Sequence, residues 1–176
     1  MKDRYYPLLQ MENYIFFCSH KKNLEGTEIF SQWYPSIFVD DEGVQYHHCE
    51  QYMMASKAKI FNDIVTYDLI MKEESPKRAK ELGRKVKNFD SDIWNQNAFE
   101  IVKKGNLFKF TQNNELTKRL LVTDNKILVE AACYDPIWGI GLNKTQALNT
   151  PVSQWPGKNL LGKALTEVRT VIKNNN

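Results

Sequence analysis

Glu50 and Lys57 place a carboxylate and an amine seven positions apart in one short segment. Residues 46–58 contain no glycine or proline and carry apolar side chains at helical spacing, which predicts a helix. Seven residues are close to two helical turns, so both groups should lie on one face, about 10 Å apart along the axis. Such a pair can approach one ligand from two sides. A surface helix with scattered charges is the competing interpretation.

A second candidate site follows a predicted strand near the middle of the C-terminal half. Asp135 is followed by Trp138, Gly139 and Gly141, which combine an acid, a flat aromatic platform and an accommodating backbone. This arrangement suits a ligand that must be held flat beside a carboxylate. An ordinary turn in which Trp138 covers the core is the alternative, because large aromatic side chains are often buried.

Further ligand-binding candidates lie near the ends of predicted helices. Trp94 can stack on a base or sugar, and Arg84 can hold a phosphate with its planar guanidinium. Lys158 and Asn159 begin the last predicted helix, where main-chain N–H groups attract anions. Arg84 can instead satisfy the carbonyls of the helix that it follows, and Lys158 and Asn159 can simply begin a helix.

Several common chemistries are excluded because the sequence lacks the motifs that they require. The sequence contains no GxGxxG fingerprint, no GxxxxGK[ST] phosphate loop, no HExxH zinc pattern and no nucleophile elbow. His47, His48 and Cys49 are adjacent to Glu50, but neighbouring residues point to different sides of an element and cannot easily share an ion. We therefore predict neither a metal site nor a cofactor.

Composition predicts one α+β domain over residues 1–176, with its core at about 14–172. The chain has 42% hydrophobic and 26% charged residues, and its net charge of +3 permits an anionic ligand. Its three cysteines are widely separated, which argues against a disulfide framework and favours a cytoplasmic location, or a nuclear one in a eukaryote. No apolar run suits a signal peptide or a membrane span, so we expect a soluble protein.

The predicted elements place the candidate residues in a helix-rich fold with a small sheet. An acidic turn at residues 40–43 joins two strands in a hairpin, which should deliver Trp33 near the start of the Glu50 helix. Regular alternation of strands and helices is missing, so a doubly wound sheet is not expected. The predicted strands cover residues 13–18, 28–39, 44–46 and 126–133, and the predicted helices cover 50–61, 64–71, 75–83, 90–110, 113–121 and 158–172.

Taken together, these segments resemble the NADAR (YbiA-like) N-glycosidase family over roughly residues 14–170. The matching residues occur in the family's order. They are Glu50-Gln51-Tyr52-Met53-Met54 with Lys57-Ala58, Leu82-Gly83-Arg84-Lys85-Val86, Trp94, Lys109-Phe110, Leu121-Val122-Thr123, Leu128-Val129-Glu130-Ala131, Asp135 with Trp138-Gly139-Ile140-Gly141-Leu142, Gly157-Lys158-Asn159-Leu160-Leu161-Gly162-Lys163, and Val168-Arg169.

The resemblance implies a helix-rich domain that cleaves the bond between a base nitrogen and C1 of a ribose. It also implies two substrate classes: ADP-ribose attached to guanine in a nucleotide or nucleic acid, and phosphoribosylated pyrimidine intermediates of riboflavin synthesis. This chain departs from bacterial members where Gln32 and Trp33 replace Asn and Phe, and where Gln51 and Met54 replace His and Gln. The departures fall on residues expected to contact the base.

A mechanism can be written with these residues. The leaving base needs a proton and the sugar develops positive charge, so Glu50 or Asp135 can be the general acid or the charge-stabilising group. If the ribose opens to its aldehyde form, a neutral Lys57 can form a Schiff base at C1, and the resemblance supports a lysine in this role. Burial would favour the neutral amine. A non-catalytic ADP-ribose-binding module and an interaction protein with core tryptophans are the alternative functions.

Overall fold

The computed structural model describes residues 12–175 and has an α+β fold, as predicted. The predicted N-terminal arm, residues 1–12, lies outside the described residues except for Glu12. Contacts divide the chain into a middle unit, residues 32–117, and a terminal unit, which joins the chain up to Ser31 with the chain from Lys118 onward. The expectation of one domain stays a prediction.

Within the described residues, four strands and seven α-helices follow one another along the chain. They are β1 (Tyr14–Phe17), β2 (Phe38–Val39), β3 (Gln45–Tyr46), α1 (Cys49–Ile60), α2 (Ile64–Met71), α3 (Pro76–Gly83), α4 (Ser91–Thr111), α5 (Asn114–Leu121), β4 (Ile127–Glu130), α6 (Lys144–Leu148) and α7 (Leu160–Asn174), with 3-10 helices at Thr27–Phe30 and Val152–Gln154.

The terminal unit is built on two parallel strands. β1 pairs with β4 in a register that places Phe16 opposite Val129. Both side chains are buried in an apolar cluster with Ala131, Ile140 and Ala147. Helix α7 packs on β4, and Gly162 permits this approach because a Cβ there would overlap the main-chain oxygen of Leu128.

The middle unit is arranged around α1, which packs against α2, α3 and α4. Two glycines allow this close packing. A Cβ at Gly83 would overlap the side chain of Met54, and one at Gly105 would lie 2.6 Å from Cδ1 of Tyr52. Helix α4 runs without interruption through Gly105.

The predicted hairpin is confirmed in the middle unit. Phe38 pairs with Tyr46 and Val39 pairs with Gln45 in antiparallel register. One side-chain oxygen of Asp40 accepts hydrogen bonds from the main-chain N–H groups of Glu42 and Val44, each at 2.9 Å. This turn sends the chain from β3 directly into α1.

The predicted strand over residues 28–39 is wrong for most of its length. Thr27–Phe30 form a 3-10 helix that begins after Gly26, whose φ of 68° lies in the left-handed region. The side chain of Asn23 accepts a hydrogen bond from the N–H of Thr27 at 3.2 Å, which stabilises this turn. Pro35 has no N–H for a strand ladder, so pairing begins only at β2.

Candidate active site

The first turn of α1 is fixed by side chains on both of its flanks. Nδ1 of His48 accepts a hydrogen bond from the N–H of Gln51 at 3.0 Å, so His48 is the N-cap. Oε1 of Gln51 in turn accepts from the N–H of His47 at 2.8 Å. Glu50 lies in this first turn, where the helix dipole stabilises a negative charge.

Glu50 is a buried carboxylate with a defined hydrogen-bond donor. Its side chain is only 4% exposed, and its Oε2 accepts a hydrogen bond from the indole Nε1–H of Trp33 at 3.1 Å. Its main-chain N–H donates to the carbonyl of Gln32 at 3.1 Å. The expectation that Trp33 lies near the start of this helix is confirmed, although a turn and not a strand delivers it. The surface-helix interpretation is wrong for α1, which is buried from Cys49 to Ala55.

Lys57 lies half-buried two turns further along α1, among aromatic side chains. Its Nζ is 4.0 Å from the ring centroid of Phe89 and 5.6 Å from that of Trp94. Burial lowers the pKa of the Lys57 amine below its ordinary value. A larger fraction of neutral amine is therefore present at a given pH, as a nucleophilic lysine requires.

Helix α3 brings basic side chains to the same unit. The hydroxyl of Ser75 accepts a hydrogen bond from the N–H of Arg78 at the start of this helix, and Pro76 occupies its first turn. Nζ of Lys80 lies 6.0 Å from the ring centroid of Trp33. Arg84 follows α3 and is exposed, and its predicted phosphate contact stays a prediction.

A buried polar cluster beside the start of α1 was missed by sequence reasoning as a chemical feature. Lys109 is fully buried, with Nζ 5.4 Å from the ring centroid of Tyr34 and 5.2 Å from that of Phe110. Burial lowers the pKa of Lys109 to about 8. Burial also raises the pKa of the nearby Cys49 thiol to about 11. Nothing in the local pattern around Lys109 distinguishes it from a surface lysine of an amphipathic helix.

Gln32, one of the residues expected to contact the base, also connects this cluster to Glu50, a link that the sequence did not indicate. Its carbonyl accepts the N–H of Glu50, and its Oε1 accepts a hydrogen bond from Nδ2 of Asn106 at 2.7 Å. Asn106 is fully buried and also accepts a weak hydrogen bond from Sγ of Cys49 at 3.7 Å. The backbone beside Glu50 is therefore held by a buried side-chain network.

In the terminal unit, Asp135 organises a tight turn. Its Oδ1 accepts hydrogen bonds from the main-chain N–H groups of Ile137 at 3.0 Å and Trp138 at 2.8 Å. A Cβ at Gly139 would lie 2.9 Å from the carbonyl oxygens of both Asp135 and Glu130, so only glycine fits without movement. Trp138 is half-buried. These contacts agree with the turn interpretation, and the catalytic role of Asp135 and the ligand contacts of Trp138 and Gly139 stay predictions.

Main-chain hydrogen bonds join the segment before α7 to this turn. The N–H groups of Lys158 and Asn159 donate to the carbonyls of Pro136 at 2.8 Å and Gly139 at 3.0 Å. The side chain of Asn159 pairs with β4, accepting from the N–H of Glu130 and donating to the carbonyl of Leu128. The main-chain donors on which the predicted anion site depended are engaged by the loop. A ligand contact here would involve the exposed Lys158 side chain, and it stays a prediction.

The predicted site residues are divided between the two units. Trp33, Glu50, Lys57, Arg84 and Trp94 lie in the middle unit. Asp135, Trp138, Gly139, Lys158 and Asn159 lie in the terminal unit, where the first three form one turn. Within residues 12–175 no cluster of three or more His, Cys, Asp or Glu residues is arranged to hold a metal ion. No helix in this range is both long and apolar enough to cross a bilayer.

Comparison with known proteins identifies relatives along nearly the whole chain. A family model described as the NADAR domain matches residues 16–173. An N-glycosidase of Acanthamoeba polyphaga mimivirus is 47% identical over 165 residues, which cover 92% of this chain and 97% of the viral protein. The NMR structure of the Escherichia coli protein YbiA superposes with a TM-score of 0.74 at 26% identity, covering 92% of this chain and 86% of YbiA.

A plant relative carries a different name. The chloroplastic riboflavin biosynthesis protein PYRR of Zea mays is 28% identical over 154 residues. The match covers 81% of this chain but only 23% of the maize protein.

Proposed function

Because this chain belongs to the NADAR family and is an enzyme that hydrolyses N-glycosyl bonds, we propose that it removes ADP-ribose from guanine in a nucleotide or nucleic acid. The observation that carries this proposal is the pairing on α1 of a buried carboxylate, Glu50, with a half-buried amine of lowered pKa, Lys57. A module that only binds ADP-ribose needs no such pair. The resemblance of the segments that carry these residues to the NADAR N-glycosidases supports the choice of bond.

Glu50 supplies the proton for the leaving base. Departure of guanine from C1 leaves an electron pair on the base nitrogen, and a general acid within hydrogen-bond reach lowers the barrier by protonating it. Trp33 holds Oε2 of Glu50 with its indole N–H, which fixes the orientation of the carboxyl group. Trp33 therefore positions the acid, and its ring face offers a surface on which a base can stack.

Lys57 forms a transient bond with the sugar. The neutral amine bonds to C1, the bond from C1 to the base nitrogen breaks, and the base leaves with the proton from Glu50. Opening of the ribose ring then gives a Schiff base between Nζ and C1. Water adds to C1, the amine leaves, and ADP-ribose is released, so that one water molecule is consumed overall. Trp94, 5.6 Å from Nζ, lies where it can pack against the sugar or base.

Charged groups at the edge of the middle unit suit the diphosphate. Arg84 is exposed after α3, and within the described residues its guanidinium has no carboxylate partner. Lys80 lies over Trp33 at 6.0 Å. An arginine fork and an ammonium group are both good phosphate ligands. We also propose Asp135 as an alternative general acid. The proposed ligand contacts of the terminal unit are Trp138, Gly139, Lys158 and Asn159.

Phosphoribosylated pyrimidine intermediates of riboflavin synthesis are the second candidate substrates. The name of the maize relative favours them. They carry the same kind of bond, from a nitrogen to ribose C1, so Glu50 and Lys57 would act in the same way. The two candidates differ in the base and in the number of phosphates, and direct comparison of the substrates separates them.

The test is a substrate panel with matched variants. Purified protein is incubated with ADP-ribosylated guanosine and, separately, with the riboflavin intermediates, and products are separated by chromatography and identified by mass. We expect release of guanosine and ADP-ribose from the first substrate. Glu50→Gln should lower kcat by about a hundredfold, because the amide cannot supply the proton. Glu100→Gln, which changes an exposed helix carboxylate, is the control.

Each outcome of the panel decides between the candidates. Faster turnover of a riboflavin intermediate than of ADP-ribosylated guanosine would replace the first substrate by the second. Tight binding of ADP-ribose without release of any base would make the protein a binding module. Equal activity of Glu50→Gln and the wild type would remove Glu50 from the mechanism.

A further inference from the structure

The positive charge of this chain is concentrated in one short segment of the middle unit. This basic segment, residues 76–88, holds six basic side chains and one acidic side chain, a formal charge of +5. Since the whole chain carries +3, the remaining 163 residues together carry −2. The basic residues are Lys77, Arg78, Lys80, Arg84, Lys85 and Lys87.

These side chains are directed to solvent and are mostly without acidic partners. Five of the six are exposed, and Lys80 is half-buried. Arg78 pairs with Glu73 at 3.1 Å. The other five form no salt bridge with any of the described residues. A cluster of unneutralised positive charge on one surface raises the local concentration of anions and is the usual footprint of a phosphate backbone.

The helix aligns part of this charge on a single face. Lys77, Lys80 and Arg84 are spaced by three and four residues, so they follow one stripe, about 10 Å long, along α3 and the residue that caps its C-terminus. Ala79 and Gly83 are the buried residues of this helix. A straight row of charges suits an extended chain of phosphates better than it suits one compact anion.

Aromatic side chains connect both ends of the basic segment to the candidate catalytic groups. Near one end, Nζ of Lys80 lies 6.0 Å from the ring of Trp33, which donates to Glu50. Just past the other end, the ring of Phe89 is 47% exposed and lies 4.0 Å from Nζ of Lys57. Basic side chains interleaved with exposed aromatic rings are typical of surfaces that bind single strands, where bases stack on the rings.

We propose that the basic segment, residues 76–88, binds the phosphate backbone of a single-stranded nucleic acid. The strand lies along α3, and its path past Trp33 and Phe89 leads a base towards Glu50 and Lys57. A base inside a duplex is not accessible to these groups, so an unpaired strand fits and a paired one does not. That the bound strand carries the ADP-ribosylated guanine rests on the proposed function, whereas backbone binding does not.

The test measures binding of an unmodified strand. Fluorescence anisotropy of a labelled 12-nucleotide single-stranded oligonucleotide is recorded at several salt concentrations. The wild type should bind, with an affinity that falls as salt rises. Lys77→Ser/Lys85→Ser/Lys87→Ser should weaken binding more than tenfold at low salt and reduce the slope of log affinity against log salt by about 2, since each single-strand contact contributes about 0.7.

A matched variant controls for total charge. Lys21→Ser/Lys22→Ser/Lys72→Ser also removes three exposed lysines, but from outside the basic segment. It should bind the oligonucleotide as the wild type does. Thermal unfolding of both triple variants checks that a loss of binding is not a loss of fold.

Three results would overturn the proposal: equal weakening by both triple variants, equal or tighter binding of the corresponding duplex, or binding to vesicles of anionic lipid but not to the oligonucleotide. The binding experiment and the test of the proposed function can fail independently of each other. A protein that binds the strand but releases no base contradicts only the enzymatic proposal. An active protein that fails to bind the strand contradicts only this one.

Discussion

Lys57 and Lys109 lie in the same unit, and burial lowers the pKa of both, but their surroundings differ. Lys57 is half-buried on α1, with Nζ beside the exposed ring of Phe89 and the half-buried ring of Trp94. Lys109 is fully buried in α4, between the rings of Tyr34 and Phe110. Burial lowers the pKa of Lys109 to about 8, close to the range in which an amine becomes a nucleophile.

A lowered pKa is therefore not sufficient to identify a catalytic lysine. A nucleophile must also reach C1 of the sugar, and Lys109 has no exposed surface. Lys57 is accessible and follows Glu50 on the same helix face. We therefore assign the covalent step to Lys57 and a role in the core to Lys109, and three experiments test this division.

The largest effect is expected at Lys57 itself. Lys57→Ala removes the nucleophile and should reduce kcat by more than about a thousandfold. Borohydride added during turnover should reduce the Schiff base and leave a sugar adduct on the peptide that contains Lys57, detected by mass spectrometry. Lys59→Ala, two residues away with its ammonium paired to Glu42 on the surface, is the control and should stay active. An adduct on Lys109, or normal turnover by Lys57→Ala, would reverse the assignment.

A smaller effect is expected from the ring that shields Lys57. Phe89→Ala should admit water to Nζ, which stabilises the ammonium and raises the pKa of Lys57 towards its ordinary value. The neutral fraction at pH 7 then falls, so kcat/KM should drop severalfold and its acid limb should move to higher pH. Phe99→Ala is the matched control, because the ring of Phe99 lies beside a different lysine, with its centroid 5.8 Å from Nζ of Lys103. It should leave the acid limb unchanged. An unchanged acid limb in Phe89→Ala would mean that Lys57 does not titrate in the reaction.

The smallest effect is a dependence of stability on pH at Lys109. The pKa of Lys109 is about 8 in the folded state and 10.5 when unfolded. The unfolded chain therefore binds more protons above pH 8, and the free energy of unfolding should rise with pH. Cys49 opposes this as its unfolded thiol titrates around pH 9, because its pKa rises from 9.0 to about 11 on folding. Between pH 8 and pH 9 Lys109 should contribute about 1 kcal/mol and Cys49 should offset about a third of it, which leaves a net rise of roughly 0.6 kcal/mol.

Urea unfolding at pH 8 and pH 9 measures this contribution. Lys109→Met should abolish the rise, and Lys118→Met, at an exposed position, should retain it. A rise of the same size in Lys109→Met and the wild type would show that another group is responsible.

Helices were predicted well where local side chains mark their ends. Asp63, Ser75 and Asp90 each accept main-chain hydrogen bonds at the start of a helix, so the signals that begin α2, α3 and α4 lie within a few residues of the helices themselves. The strand predicted over residues 28–39 failed because its aromatic and β-branched composition suits a strand, while the turn at Asn23 and Gly26 imposes a 3-10 helix.

The family, the α+β class and the presence of Glu50 and Lys57 on one helix face could be predicted from the sequence, because ordered motifs and helical periodicity are local properties. Which polar groups are buried, and what they contact, became known from the folded structure. Trp33 reaches Glu50 across 17 residues, and Phe89 covers Lys57 across 32. Burial and pKa depend on such distant partners, which is why Lys109 became visible as a titratable group only in the folded chain.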